Sequence, residues 1–122
     1  MNKEKVIVTA GEFDPLSIEE LRFLQKCKMY GHWLIVGIHS DNWMQLCRAG
    51  SYQSYGHRHE IIQSLKCVDE VFRFNDDDGS VCNLLKLVKL CYPTADITYI
   101  SNQDMHDMPE TRIRGIKFEV LK

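Results

Sequence analysis

Val6-Ile7-Val8-Thr9-Ala10-Gly11-Glu12-Phe13-Asp14-Pro15-Leu16-Ser17-Ile18-Glu19-Glu20 decides how this chain is read. An apolar run reaches Gly11, a short turn follows, and a helix starts at Ser17. The Ser17 hydroxyl suits an N-cap, and Glu20 three residues later completes a capping box. In an α/β sheet such a strand-to-helix junction is where nucleotide phosphates settle, against free N–H groups and the positive helix end. Here Glu12, Asp14, Glu19 and Glu20 surround that place. The junction reads as a place for phosphates, yet its side chains carry the wrong sign for them.

Outward from this junction, strands and helices alternate. Lys5 to Thr9 is the first strand, and Ser17 to about Met29 the first helix, with Ile18, Leu21, Leu24 and Cys27 at helical spacing. Gly31 stops it. His32 to Ile38 is a nearly all-apolar strand of the kind buried in a parallel sheet, and His39 to Arg48 a short helical stretch. Ser54 caps a helix over Tyr55 to Lys66, Val68 to Phe74 contains a strand, and Asp76-Asp77-Asp78 suits the start of a helix over Ser80 to Cys91. Ala95 to Ser101 and Gly115 to Leu121 are the last two strands. This order predicts an α/β fold with a parallel sheet and right-handed crossovers.

The 122 residues read as a single domain spanning 1–122, with no repeat, linker or low-complexity stretch. A net charge of −2 argues against a nucleic-acid partner, which wants a basic face. No apolar run approaches the roughly 20 residues of a membrane span. Met1-Asn2-Lys3-Glu4-Lys5 leads straight into a strand, so a cytoplasmic protein without a signal peptide is the expectation. Five cysteines without C-x-x-C spacing, mostly on apolar helix faces, read as buried free thiols.

Three segments in register carry a resemblance to a known family. Gly11-Glu12-Phe13-Asp14-Pro15-Leu16 resembles the G-x-F-D opening of the cytidylyltransferase-like nucleotidyltransferases. Tyr52-Gln53-Ser54-Tyr55-Gly56-His57-Arg58, followed by Val68-Asp69-Glu70-Val71, is most similar to the glycerol-3-phosphate cytidylyltransferases, and His39-Ser40-Asp41-Asn42-Trp43 resembles their substrate-side turn. The resemblance runs from about Val6 to Leu121. It implies a Rossmann-like three-layer fold, a five-stranded parallel sheet of order 3-2-1-4-5 flanked by helices, with the site at the carboxyl ends of strands one and four. It implies a nucleotide-binding set of Thr9, Ala10, Gly11, Glu12, Phe13, Ser17, Arg58, Lys66 and Ser101, with Asp14 and Asp41 toward the substrate. Each of Asp14, Asp41, Arg58 and Lys66 also has a structural explanation: a brace for the turn, a helix cap, a surface or interface ion pair and a helix-end cation. Family members are often dimers, which extends the resemblance to a homodimer.

The family transfers a nucleotidyl group from CTP to a phosphorylated small molecule such as glycerol 3-phosphate, chemistry that needs positioning and donors for developing negative charge. Its H-x-G-H motif supplies imidazoles, but the corresponding positions here are Ser17-Ile18-Glu19-Glu20. Two unit charges roughly 4 Å apart interact by about 4 kcal/mol at an effective dielectric of 20, so an ionised Glu20 would cost a triphosphate about a thousandfold in affinity. Where the family carries phosphate-reaching lysines, only Arg48 remains in Leu46-Cys47-Arg48-Ala49-Gly50, and the turn after strand four is Ser101-Asn102-Gln103-Asp104. With Gly115 to Leu121 taken as the fifth strand, the R-T-x-G-I-S-T-T signature is absent. The expectation is a domain impaired in catalysis, with Ser17 and Glu20 as a degenerate motif, that binds CTP or another nucleotide weakly, or a protein partner of unspecified identity. The alternatives are a working transferase using Arg48, Arg58, Lys66 and Mg²⁺, and a structural or interaction subunit. Clustered His57 and His59 point in different directions on a helix, and Glu12, Asp14, Glu19 and Glu20 read as a solvated helix start, so no metal site is expected. Trp33 and Trp43 read as core and turn packing.

Overall fold

Lys5–Gly11 forms the central strand, β1. The computed structural model describes residues 4–103 and 108–121. Met1-Asn2-Lys3 of the amino-terminal segment and Asp104 of the turn after strand four lie outside them. Behind β1 come α1 (Ile18–Lys28), β2 (Trp33–Ile38), α2 (Asp41–Arg48), α3 (Tyr55–Gln63), β3 (Glu70–Phe72), α4 (Cys82–Cys91) and β4 (Asp96–Ser101). A 3-10 turn at Pro109–Arg112 precedes β5 (Ile116–Val120). All pairings are parallel, as the alternation of strands and helices predicted, and the sheet order is β3-β2-β1-β4-β5, as the family resemblance implied.

Alternation along β1 sorts the core into two layers. Val6 and Val8 face Leu84, Leu85 and Val88 of α4, with Ile35, Ile97 and Ile116 from neighbouring strands. Ile7 faces the other way, against Leu24 and Cys27 of α1 and Tyr55 and Ile62 of α3. A two-residue side-chain period therefore puts helices on both faces, and a strand apolar on both sides is the result. The change of face between α3 and α4 coincides with the reversal of strand order beside β1, where a parallel sheet opens a crevice at its carboxyl end.

Local boundaries differ modestly from the sequence expectation. The helix expected to reach Lys66 stops at Gln63, since the Ser64 hydroxyl donates back to Glu60 O (2.7 Å) and the chain turns. Ser40 rather than Asp41 caps α2, its hydroxyl accepting from Trp43 N. The start of α4 is not served by Asp76; Val81 N donates instead to Glu110 Oε2 at 3.0 Å. Of the five cysteines only Cys27 is fully buried, its thiol pushed up to about 12 by burial and by nearby Cys67, while Cys47 and Cys91 are exposed. The expectation of generally buried thiols is corrected accordingly, because Cys47 and Cys91 lie on the outer faces of α2 and α4.

Gly11 is needed for close approach. A Cβ placed there would lie 2.8 Å from Phe13 Cζ. Phe13 itself holds φ 51, a region costly for a bulky residue, and its buried ring keeps it there. Gly11→Val must expel that ring or move the end of β1. The expected loss is about 1–3 kcal/mol, read as a lower urea midpoint with an unchanged m-value.

Candidate functional site

A cleft of about 420 Å³ opens at the carboxyl ends of β1, β2 and β4. Its floor is Thr9 to Phe13, with His39 after β2, Ser101 at the end of β4, and Asn102 and Gln103 after it. Glu19, Glu20 and Phe23 of α1 form one wall, and Trp43 of α2, Val81 and Glu110 complete the opposite side. Glu12, Glu19, Glu20 and Glu110 thus all line it, and among the described residues that do so there is no lysine or arginine. An aqueous anion entering here would meet carboxylates in a confined space, where charge interactions are screened less than at an open surface.

The first turn of α1 is already spoken for. Ser17 Oγ accepts from Glu20 N at 3.1 Å, and Glu20 Oε1 accepts from Ser17 N at 2.9 Å, so the predicted capping box forms. The reciprocal bonds consume donors that a phosphate would need and hold the Glu20 carboxylate in place. Ser17 does not itself line the cleft. Glu12 pairs with Arg48 from the end of α2, which leaves that guanidinium committed to a carboxylate.

The remaining residues singled out from the sequence are distributed otherwise. Thr9, Ala10, Gly11, Glu12, Phe13 and Ser101 line the cleft as a group. Arg58 is 0 % exposed, so the surface ion-pair explanation is overturned. Its Nε donates to Gln53 O, Nη1 to Glu12 O and His39 O, and Nη2 to Asp41 Oδ1. Asp14 accepts from Tyr52 N and Gln53 N, bracing a segment distant in sequence rather than its own turn. Asp41 accepts from Tyr55 N as well as Arg58. Burial opposes its ionisation, but the Tyr55 and Arg58 hydrogen bonds prevail and hold its carboxyl below the usual range. These three residues form one web that lashes the segment before α3 onto the ends of β1 and β2. Lys66 is exposed in the turn leading into β3, on the amino-terminal side of the sheet and away from the cleft.

One pair escaped sequence reasoning. His39 Nδ1 lies 3.0 Å from Asp76 Oδ2, and the same carboxylate accepts from Ser40 N (2.9 Å) and Ser40 Oγ (2.7 Å). The His39 ring stacks on Trp43 with centroids 3.9 Å apart, so Trp43 is part of the cleft wall as well as turn packing. Burial lowers the His39 pKa despite the pull of Asp76 and Glu12. For Asp76 burial raises the pKa, but the Ser40 and His39 hydrogen bonds outweigh it and leave the carboxyl low. Each residue was read within its own segment, His39 in the turn after β2 and Asp76 in the acidic turn before α4, and the 37-residue separation hid their pairing.

Both shifts favour the folded state at neutral pH. A histidine depressed in the fold contributes fully above its unfolded value and loses that contribution as the pH falls through the folded one. Depressed carboxyls behave likewise, one step lower. Thermal melts should therefore decline in two stages, first below about pH 6.5 from His39 and then below about pH 4 from Asp76 and Asp41. His39→Gln should remove the upper stage. A melting temperature level from pH 7 to pH 3 would contradict the pairing.

Residues 8–119 match the family model described as cytidylyltransferase-like. The chain belongs to that family. It is 34 % identical over 67 residues to the glycerol-3-phosphate cytidylyltransferase of Bacillus subtilis, covering 55 % of this chain and 52 % of that one. It is 36 % identical over 120 residues to the bifunctional protein HldE of Helicobacter pylori, covering 97 % of this chain and 26 % of the relative. The chain thus spans about half of the first relative and about a quarter of the second. Among solved structures, the lipopolysaccharide core biosynthesis protein of Thermoplasma volcanium superposes with a TM-score of 0.74 at 20 % identity, over 99 % of this chain and 98 % of that one. At that identity the likeness is one of fold. Among the described residues no helix is long and apolar enough to cross a membrane.

Proposed function

We propose that this cytidylyltransferase-like domain is impaired in nucleotidyl transfer and acts by binding, holding a small ligand or a protein partner. The observation that carries this reading is the start of α1, where Ser17 and Glu20 are locked in a capping box beside a cleft lined by four glutamates and, among the described residues, no basic side chain. Family chemistry stabilises the charge that accumulates on transferring phosphates, and donors or cations aimed at that charge supply the rate. Carboxylates at the same place act against it. The residues that could compensate are engaged or distant: Arg48 with Glu12, Arg58 inside the web, Lys66 across the sheet.

A second reading, a working transferase assisted by Mg²⁺, is favoured by the His39 imidazole on the cleft wall and by the activity named for the Bacillus relative. In that reading Asp76 holds Nδ1 of His39, and the ring, once protonated, donates through Nε2 to a phosphate oxygen. Incubating the protein with CTP, glycerol 3-phosphate and Mg²⁺ while following pyrophosphate separates the two. The binding reading expects release at the protein-free rate. Turnover that disappears in His39→Gln would establish the transferase. A homodimer, placed in a cytoplasmic setting, belongs to either version and is tested by sedimentation.

A further inference from the structure

The sheet ends on β3 at one side and on β5 at the other. β3 is guarded by its brevity, since three residues give an incoming strand little to pair with. β5 has five residues, Ile116 to Val120, in unbroken register with Ile97 to Ser101 of β4 and without a proline or a bulge. Among the described residues no strand pairs with its outer side. An edge of this kind presents backbone donors and acceptors that a further strand can take up.

The pairing with β4 fixes which groups face outward. Leu121 N donates to Ser101 O at 2.8 Å, so the odd-numbered residues of β5 turn their N–H and C=O groups toward β4. Ile116, Phe118 and Val120 turn theirs to the open side. The side chains of these three lie on the α4 face, where Ile116 is buried and Val120 is 39 % exposed. Lys117 and Glu119 stand exposed on the opposite face, and Lys117 is held only by a 3.4 Å contact with Asp96 Oδ2. Ile-Lys-Phe-Glu-Val is thus symmetric about Phe118, apolar for apolar and cation for anion.

We propose that β5 pairs antiparallel with β5 of a second copy, centred on Phe118, so that one sheet runs through both chains across a two-fold axis. This gives an interface to the homodimer proposed above and rests on that proposal. Phe118 exchanges both backbone hydrogen bonds with Phe118 of the second copy, and Ile116 does the same with Val120 of the second copy. Lys117 then falls opposite Glu119 of the second copy, and Glu119 opposite Lys117, at the positions where side chains approach most closely. Those charges also select the register. A slip of two residues sets Lys117 against Lys117 or Glu119 against Glu119, and like charges directly opposite one another are unfavourable. A lysine on an edge commonly keeps stray strands away. Here the glutamate beyond Phe118 makes the edge complementary to itself.

Sedimentation equilibrium of the full chain over a range of concentrations tests this. The protein should dimerise, and Glu119→Lys should weaken the dimer about tenfold or more, because both cross-strand pairs become like-charged. Adding Lys117→Glu to that variant restores the opposite charges and should restore the dimer. Both positions are exposed, so the melting temperatures of the monomers should stay close to that of the parent. Hydrogen exchange supplies a second readout. The amides of Ile116, Phe118 and Val120 should gain protection as concentration rises, while those of Lys117 and Glu119, turned toward β4, stay protected throughout. A dimer indifferent to Glu119→Lys, or one in which those three amides exchange freely, overturns the interface and leaves the homodimer standing. A monomer at every concentration overturns both. Protection of the same amides in the monomer would put another segment of the chain on the edge and overturns the interface as well.

Discussion

Arg58→Ala is expected to lower the unfolding free energy by about 3–5 kcal/mol, the largest loss of any single substitution considered for this chain. The side chain is fully buried and donates to three backbone carbonyls and to Asp41. Alanine leaves Glu12 O, His39 O and Gln53 O without their donor and opens a void the size of a guanidinium. Those carbonyls mark the ends of β1 and β2 and the segment before α3, so the damage falls on the floor of the cleft. Arg58→Lys should recover little of the loss, since one ammonium cannot span the same fork of acceptors. Urea unfolding followed by far-ultraviolet circular dichroism measures it. If Arg58 served mainly as a phosphate ligand, the variant would keep its midpoint and lose only nucleotide affinity.

The second large effect concerns the start of α1. Replacing Ser17 and Glu20 together by histidine removes a carboxylate and adds two potential donors. Taking about 4 kcal/mol for unit charges 4 Å apart at an effective dielectric of 20, CTP affinity should rise by up to about a thousandfold at low salt. The gain should shrink as salt is added, though less steeply than it would at an open surface. Loss of the reciprocal cap bonds should cost about 1 kcal/mol of stability, visible in the same preparation as a lower midpoint. Calorimetric titration with CTP–Mg²⁺ checks the affinity. Should it stay flat, Glu12, Glu19 and Glu110, rather than Glu20, control what the cleft accepts.

Much of this architecture was legible because it is written in short-range patterns. Val6 to Gly11 is apolar on both faces, Ser17 and Glu20 are three apart, and both features translate directly into a central strand and a capped helix. The placement of Gly115 to Leu121 as a fifth strand followed from strand composition and its distance from Ser101, and β5 pairs with β4 as that required. What stayed hidden depends on contacts between residues far apart in the chain. His39 meets Asp76 across 37 positions, and Glu110 meets Val81 across 29. A charge such as Arg58 reads as surface until the fold supplies four acceptors around it. Lys66 shows the reverse: matched to a family position from the sequence, it ends up beyond a helix that stops three residues early, at the far side of the sheet.

Crystals soaked in CTP and Mg²⁺ at low ionic strength test the electrostatic account most directly. The first turn of α1 should stay unoccupied, with Glu20 still bonded to Ser17 N and no ordered triphosphate between Glu12, Glu19 and Glu20. Ordered phosphates lying across Ser17 and Glu20, with those carboxylates unmoved, would contradict it.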